Sequence, residues 1–453
     1  MNQRVSSPAL FLACLLVLTF AGCADNSSST SSSGSSNTLA ATQAKNAGNF
    51  SNTIFLGDSL TAGYQNGSLL DTQQVNGWSA LVAKQAQFKI VLPLIAAPGA
   101  PGVLKLVSVG PPPVLATTSG TTTGRDDVTA QPTDLAVPGA LVNDAANTVP
   151  LANPTTAQQL MNQLVLGFPG LASGQALSQT GQAIKAQPTT IFLWIGNNDA
   201  LAAALAGTPA AMTSTANFTA QYTALIQQLS TQAPAHLVIA NIPDVTLVPY
   251  LQPAAGVLAQ FAVVTQLPAS TLGAMFGIST GDYVTPEGLT EIAAILAGTQ
   301  KTVLSDAGVL TSAEAATAKQ QVTAYNQVIA AQVTAANATL VDINALFTQI
   351  ATNGVAVNGV TGTNAFLGGL FSLDGIHPTN TGYAVVANTF IDTMNAKFNT
   401  KIADVDLTQI AAADPLWPTN LGKDATAKFA APGIPAALLQ RANAVLLPEG
   451  ASQ

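Results

Sequence analysis

The sequence is poor in charge, in cysteine and in histidine. Charged side chains make up 8% of its 453 residues, whereas about 25% is typical of soluble domains. Lys and Arg total 14, the net charge is −8 and no cluster of basic residues occurs. Nucleic acid is therefore excluded as a partner, because phosphate binding needs grouped cations. Hydrophobic residues reach 48%, so disorder as the main state is also excluded.

The few cysteines and histidines limit the possible chemistry further. Cys14 and Cys23 lie near the amino terminus, and no thiol follows them. Disulfides and cysteine-based zinc sites are thus excluded from the rest of the chain. His236 and His377 are the two histidines, too few for a histidine-rich metal centre or an H-E-x-x-H protease. Any histidine chemistry must use one of these two residues.

The amino terminus predicts export. The apolar run 9–20 is too short to span a bilayer and has the length of a signal-peptide core. It ends in Phe20-Ala21-Gly22-Cys23, which resembles the lipobox of bacterial lipoproteins. The resemblance implies cleavage after residue 22, acylation of Cys23 and a cell-envelope protein, on the outer membrane or the periplasmic face, anchored rather than membrane-spanning. A plain secretory signal with an incidental cysteine is the alternative.

The rest of the chain predicts an α/β domain. Four short apolar segments read as buried strands and alternate with helical patterns, which favours a parallel sheet covered on both faces. The predicted strands are 54–56, 190–195, 236–240 and 340–343, and the predicted helices are 78–87, 155–166, 173–186, 214–231, 286–297 and 312–336. The predicted organisation is a signal peptide over 1–22, a Ser-rich tether over 23–50, a domain over 51–400 with insertions near 90–134 and 250–310, and a C-terminal appendage over 401–453 with a short helix near 436–446.

Three polar motifs stand where strands of such a sheet end, at the edge where parallel sheets place reactive groups. They are GDSL from Gly57, GNND from Gly196 and DGIHP from Asp374. A serine hydroxyl needs a base to accept its proton, and an imidazole suits this role at neutral pH. We therefore predict Ser59 as nucleophile and His377 as base. Asp374, three residues earlier on the same turn, is predicted to orient His377 and to stabilise the imidazolium.

An oxyanion in such chemistry needs donors that are already oriented, each contributing ~3 kcal/mol in the transition state. Asn198 offers its side-chain amide. Gly139, in the segment AVPGA, offers a backbone N–H that no side chain shields. Together with the N–H of Ser59, these groups predict a hole of three donors.

These motifs, in this order, resemble the four blocks of the SGNH or GDSL-type hydrolases. The resemblance extends over about 52–395 and includes NIPD from Asn241 and FSLDGIHPT from Phe371, as in larger GDSL-like lipase or acylhydrolase lipoproteins of bacteria. It implies a flavodoxin-like α/β/α sandwich of three layers around a five-stranded parallel sheet. It also implies ester hydrolysis through an acyl-enzyme, with no metal and no cofactor. One departure is Asp134, where many relatives have asparagine.

The expected activity is that of a serine esterase or lipase, with an ester substrate that carries an apolar acyl chain. A carbohydrate O-acetyl esterase with the same triad is one alternative, and a non-catalytic binding lipoprotein on a hydrolase scaffold is another. The apolar insertion around Phe261, Leu267, Met275 and Phe276 is either an acyl pocket or lid or ordinary packing. The remaining polar and aromatic candidates have structural roles: Asp58 and Asp199 as supports of the motif loops, His236 at a strand start, and Trp78 and Trp194 in the core.

Overall fold

The computed structural model describes residues 48–109, 113–233 and 235–421. All of them belong to the second of two units into which the chain divides, Gln43–Gln453. The predicted signal peptide, Cys23, nearly all of the predicted tether and the predicted helix near 436–446 lie outside the described residues.

The strands are β1 Thr53–Gly57, β2 Leu104–Ser108, β3 Val114–Thr117, β4 Thr190–Trp194, β5 His236–Ala240, β6 Gln252–Pro253, β7 Tyr283–Val284, β8 Val309–Leu310, β9 Thr339–Val341, β10 Val355–Val357 and β11 Val360–Gly362. The α-helices are α1 Asp71–Gln74, α2 Trp78–Ala86, α3 Val142–Asn147, α4 Ala157–Leu166, α5 Gln179–Ala186, α6 Asn197–Ala206, α7 Thr215–Gln232, α8 Ala254–Thr265, α9 Ala269–Phe276, α10 Pro286–Leu296, α11 Ser312–Ala335, α12 Ile343–Asn353, α13 Asn380–Phe398 and α14 Leu407–Ala413.

The central sheet is parallel and contains the four predicted strands in the order β1, β4, β5, β9. Gly57 at the end of β1 pairs with Trp194 at the end of β4, so the GDSL and GNND motifs emerge side by side. Because helices connect the parallel strands, both faces of the sheet are covered. The predicted α/β fold class is confirmed.

The strand count differs from the five that the resemblance implied. The extended segment 133–137 runs along the free edge of β1. The N–H of Phe55 donates to this segment at 2.8 Å, and the carbonyl of Phe55 accepts an N–H from it at 2.9 Å. Only Phe55 and Asp134 pair there as a bridge. Pro132 and Pro138 bracket the segment, and proline has no N–H to extend a ladder. A full fifth strand is therefore replaced by five extended residues in the expected position.

The two faces of the sheet bury separate cores, which gives three layers. Ile54 and Leu56 of β1 point into the core under α3, α4, α5, α7 and α11. Phe55 between them points into the core under α2, α12 and α13, as the period of two along a strand requires. Trp78 and Trp194 are fully buried in this second core, with their ring centroids 6.2 Å apart. Their predicted core role is confirmed.

The helices predicted from an apolar period are present, but several others were missed. The predicted helices 78–87, 214–231 and 312–336 correspond to α2, α7 and α11. The prediction over 173–186 began too early, because a 3₁₀ turn precedes α5. Neither α6 nor α13 was predicted. Nine of the ten residues of α6 are buried, so its sequence lacks the polar face that marks an amphipathic helix.

The two predicted insertions form elements of their own. The segment 90–134 contains an antiparallel hairpin of β2 and β3. The segment 250–310 contains α8, α9, α10 and a small antiparallel sheet of β6, β7 and β8. Its helices enclose a separate apolar core that includes Val257, Leu272 and Phe276. The second insertion is thus a packed subdomain rather than an irregular loop.

The C-terminal segment is described as far as Leu421 and packs against α13. Asp414 accepts hydrogen bonds from the backbone N–H and the hydroxyl of Thr381, at 2.8 and 2.7 Å. Trp417 is buried in the core under α13. This part of the predicted appendage therefore covers a helix that leads away from the His377 loop.

Candidate active site

Ser59 follows directly on the end of β1. A Cβ atom at Gly57 would lie 2.5 Å from both Thr61 Oγ1 and the carbonyl oxygen of Trp194, so only glycine fits between β1 and β4. The chain then turns at once, and the N–H of Thr61 donates to the carbonyl of Asp58 at 3.1 Å. This turn places Ser59, 3% exposed, at the carboxyl end of the sheet.

Asp374 and His377 are joined on a single loop. Asp374 Oδ2 lies 3.0 Å from His377 Nδ1, and Asp374 Oδ1 accepts the backbone N–H groups of Ile376 and His377, both at 2.9 Å. The N–H of Gly67, which sequence reasoning missed, donates to Asp374 Oδ2 at 2.8 Å. Burial raises the pKa of Asp374, but the His377 charge and these hydrogen bonds outweigh burial and hold that pKa below its ordinary value. The loop therefore favours an ionised carboxylate beside the imidazole.

The second nitrogen of His377, Nε2, is not engaged by Asp374. Among the described residues His377 Nε2 is buried and has no hydrogen-bond partner, and Ser59 and His377 line the same cleft. The ring of Tyr64 lies 4.7 Å from the imidazole. Catalytic hydrogen bonds often tighten only when substrate binds. The free nitrogen is thus placed to take a proton from a group in this cleft.

The three predicted oxyanion donors come from three segments: Ser59 from the turn after β1, Gly139 from the segment before α3, and Asn198 from the start of α6. Asn198 lines the cleft, and its amide donates one hydrogen bond to the carbonyl of Ala140 at 3.0 Å, which leaves a second N–H. Gly139, which has a φ of 80°, directly precedes Ala140. Within the described part of the chain, the backbone N–H groups of Ser59 and Gly139 donate to no protein acceptor. The bond between Asn198 and Ala140 therefore ties two of the donors together.

Asp58 connects the Ser59 turn to the neighbouring motif. Its carboxylate accepts the backbone N–H of Leu60 at 3.1 Å and the side-chain amide of Asn197 at 2.9 Å. Burial raises the pKa of Asp58 to about 6, against the opposing effect of these bonds and of His377. Asn197 was not singled out from the sequence, although it lies within GNND. Its hydrogen bond fixes the ends of β1 and β4 to each other.

Asp199 supports the Gly139 loop from α6. Its carboxylate accepts the backbone N–H of Val142 at 3.0 Å and the hydroxyl of Thr213 at 2.7 Å. Burial raises the pKa of Asp199 to about 7 in spite of both bonds. Asp58 and Asp199 thus hold the motif loops, as expected from the sequence.

The cleft comprises about 420 Å³ of space not filled by atoms, which includes space open to solvent. Its polar lining consists of Ser59, Asn197, Asn198 and His377, and its apolar lining consists of Leu60, Leu201, Ile242, Pro243, Val245, Val248, Phe347 and Ile376. None of these residues belongs to the insertion 250–310. Phe276 is buried in the insertion's own core. The apolar wall comes from the Ser59 turn, α6, the segment after β5, α12 and the His377 loop.

His236 lies at the opposite end of the sheet, at the start of β5. It is half-buried, with Nε2 2.9 Å from the hydroxyl of Thr339 and its ring edge-on to Phe398 at 5.0 Å. The predicted structural position of His236 is therefore confirmed. In the described ranges no group of three or more His, Cys, Asp or Glu side chains is placed to hold a metal ion.

Asp134, the residue that departs from the related motifs, is a buried carboxyl group beside β1. It accepts the hydroxyl of Ser79 at 2.7 Å and the backbone N–H of Ala136 at 3.1 Å. Burial nevertheless raises its pKa to about 7. A raised pKa means that the folded protein holds this proton more tightly than the unfolded chain does. Its contribution to stability is complete below about pH 4 and is lost as pH rises through about 7.

We expect Asp134→Asn to lessen this loss of stability at neutral pH. The amide keeps the shape of the protonated carboxyl group and has no charge to bury. Between about pH 4 and about pH 8, the free energy of unfolding of the variant should gain up to roughly 4 kcal/mol relative to wild type. Urea unfolding across this pH range measures the difference, with the exposed Asp126→Asn as control. Parallel curves for wild type and Asp134→Asn would contradict the assignment of a raised pKa.

Comparison with known proteins places the site within a family. The profile of the GDSL-like lipase/acylhydrolase family matches residues 54–390, a range that contains Ser59, Gly139, Asn198, Asp374 and His377. No curated protein sequence matches the chain. The family relationship therefore rests on the profile, which spans all four motifs.

Several solved structures resemble the chain at low identity. A mutant of an acetyl-xylooligosaccharide esterase from Geobacillus stearothermophilus is 11% identical with a TM-score of 0.34, covering 78% of this chain and 98% of that chain. An α/β hydrolase from the metagenome of Lake Arreo is 12% identical with a TM-score of 0.33, covering 77% and 96%. Phospholipase A1 from Streptomyces albidoflavus is 14% identical with a TM-score of 0.32, covering 76% and 98%.

Proposed function

Because the chain belongs to the GDSL-like lipase/acylhydrolase family and is an ester-bond hydrolase, we propose that it cleaves carboxylic esters by acyl transfer through Ser59. The main support is that Ser59, Asn198 and the free nitrogen of His377 meet at one cleft. The hydrogen bond between His377 Nδ1 and Asp374 fixes the orientation of the imidazole. This arrangement contains each group that the chemistry needs.

The reaction then proceeds in two steps. Ser59 Oγ attacks the ester carbonyl while His377 Nε2 takes its proton, and the Asp374 carboxylate stabilises the resulting imidazolium. The N–H groups of Ser59, Gly139 and Asn198 stabilise the oxyanion. His377 next gives its proton to the departing alcohol, which leaves an ester between the acyl group and Ser59. Water, deprotonated by His377, releases the carboxylic acid and restores the serine.

The cleft favours an apolar acyl group over acetate. Eight of its twelve lining residues are apolar, and burying acyl methylene groups against them contributes roughly 0.8 kcal/mol each. An acetyl group offers one methyl to such a wall. We therefore place acyl esters with longer chains ahead of O-acetylated carbohydrates as substrates.

Phe347 is expected to limit the length of the acyl chain. It is the one phenylalanine among the described residues of the lining, is 4% exposed and packs edge-on against Phe371 with ring centroids 5.8 Å apart. Phe347→Ala opens space at the cleft, so kcat/KM for p-nitrophenyl palmitate should rise by about tenfold relative to the octanoate ester.

The matched control is Phe88→Ala, which removes a ring from the same core away from the cleft. If the chain-length profiles of Phe347→Ala and wild type coincide, the acyl chain does not lie in this cleft. A strict preference of the wild type for acetate would instead favour the carbohydrate O-acetyl esterase.

We also propose that the mature protein is an envelope lipoprotein acylated at Cys23. The support is the signal-peptide core over 9–20 and the lipobox-like Phe20-Ala21-Gly22-Cys23. Cys23→Ala should abolish incorporation of radiolabelled palmitate and move the protein out of the membrane fraction. Retention of the label in Cys23→Ala would contradict acylation at this residue, and cleavage without any label in wild type would favour the plain secretory signal.

A further inference from the structure

The paired helices α8 and α9 form an uncharged surface segment. No charged residue occurs between Asp244 and Asp282. Within the described residues no single helix has both the length and the hydropathy to cross a bilayer, whereas α8 and α9 together reach that hydropathy across a bend of 112°. The pair therefore has the hydropathy needed for contact with a bilayer.

Apolar side chains cover both sides of this pair. The inner side contributes to the insertion's own core, as expected for a packed subdomain. On the outer side Val263 and Val264 are each 73% exposed, and Val303, which lies against the end of α9 at Gly277, is 53% exposed. Leu267 and Met275 are also exposed. Of the twelve large hydrophobic residues exposed in the described part of the chain, six lie in this insertion: Val263, Val264, Leu267, Met275, Leu296 and Val303. Such a concentration marks an interaction surface.

We propose that the outer face of α8 and α9 docks on the acyl region of a lipid bilayer. This face contains Val263, Val264, Leu267 and Met275 and is called the hairpin surface below. The hydropathy of the pair matches that of a membrane segment, and its lack of charge offers nothing to a polar or charged protein partner. The net charge of −8 also disfavours attraction to anionic headgroups, so the contact is apolar and does not depend on anionic lipid.

The proposed anchor permits this contact. About 25 residues separate Cys23 from Gly48, and they reach at most about 85 Å. A compact unit of about 400 residues is roughly 55 Å across, so a chain anchored at Cys23 can turn any face towards the membrane. Contact of the hairpin surface with the membrane therefore rests on the proposed acylation of Cys23.

Docking of this surface has a consequence for the cleft. The insertion begins just after Tyr250, whose N–H donates to the carbonyl of Gly375 at 2.9 Å. Gly375 lies between Asp374 and His377, so the base of the insertion is bonded to the loop of the catalytic residues. Docking of the hairpin surface therefore engages a subdomain whose base is hydrogen-bonded to the His377 loop.

A single labelled cysteine tests the contact. No cysteine follows Cys23, so Val264→Cys in the full chain gives one thiol for an environment-sensitive fluorophore once Cys23 is acylated. The chain is reconstituted in phosphatidylcholine vesicles whose acyl chains are brominated, because bromine quenches fluorophores within the acyl region. The matched control is Thr323→Cys on the exposed face of α11, and the unsubstituted chain checks that Cys23 takes no label.

We expect loss of emission and a blue shift for the label at position 264 and neither change at position 323. Adding Val263→Glu to the Val264→Cys chain should restore the emission, while hydrolysis of soluble p-nitrophenyl esters stays at the wild-type level. Equal emission at both positions with and without bromine overturns the proposal, as does a signal at position 264 that depends on protein concentration, which would indicate a second copy of the chain. Activity on soluble esters tests the proposed function separately, so failure of one proposal does not resemble failure of the other.

Discussion

Ser59→Ala is expected to reduce the kcat for p-nitrophenyl octanoate by roughly 10⁴-fold to 10⁶-fold. The variant lacks the oxygen that forms the acyl-enzyme, while the cleft, the other oxyanion donors and His377 remain. Some residual rate above that in water is expected, because binding and the oxyanion donors still stabilise the transition state.

Ser51→Ala, at an exposed serine just before β1, is the control and should keep full activity. Ser59 is small and makes no side-chain hydrogen bond within the described residues, so the melting temperature of Ser59→Ala should match that of wild type. Hydrolysis by Ser59→Ala at the wild-type rate would falsify the proposed mechanism.

Asp374→Asn is expected to lower kcat by about 10³-fold to 10⁴-fold. The Asp374 carboxylate accepts hydrogen bonds from His377 Nδ1 and from the backbone N–H groups of Ile376, His377 and Gly67. An amide has no charge with which to stabilise the imidazolium. Its NH₂ group also replaces a carboxylate oxygen that accepts hydrogen bonds, so it is placed against N–H donors. It therefore favours the tautomer of His377 that cannot accept the serine proton.

The matched control for Asp374→Asn is Asp414→Asn. Asp414 is also buried and accepts two hydrogen bonds from Thr381, but it does not line the cleft. This control should lower the free energy of unfolding and leave kcat nearly unchanged. An equal loss of kcat in the two variants would mean that Asp374 acts through stability rather than through His377.

The parts of the fold that the sequence predicts well are those encoded locally. Each central strand is a continuous apolar run bounded by a turn signal, such as Ile54 to Leu56 before Gly57. The hydrogen bond between Asp374 and His377 is equally local, because three residues separate the partners on one turn. Local patterns of this kind need no knowledge of the tertiary structure.

The parts that were missed depend on contacts between distant segments. Asn197 reaches Asp58 across 139 residues, and Gly67 reaches Asp374 across 307 residues. Phe347 comes to the cleft from α12, in a segment that carries no motif. Sequence periodicity contains no signal for these pairs, since each partner is an ordinary residue in its own segment. The absent fifth strand has the same origin, because Phe55 pairs with a segment that prolines keep short.

The sequence predicted an apolar insertion but did not decide between an acyl pocket or lid and ordinary packing. The insertion's side chains around Phe276 form a core of their own, and the cleft draws its apolar wall from other loops. Hydropathy indicates that a segment must be buried, but it does not indicate which residues bury it. The outer side of the insertion is the part that the structure leaves uncovered by protein.

Catalysis by Ser59 is tested most directly by covalent labelling with a fluorophosphonate, followed by mass spectrometry of the labelled peptide. We expect one adduct, on Ser59, that forms rapidly in the wild type and is lost or greatly slowed in His377→Ala. We expect no effect of His236→Ala, since that residue lies at the other end of the sheet. An adduct on another residue, equal labelling of Ser59 in His377→Ala, or no adduct in the wild type would contradict this role of Ser59. The last result would favour a binding lipoprotein on a hydrolase scaffold.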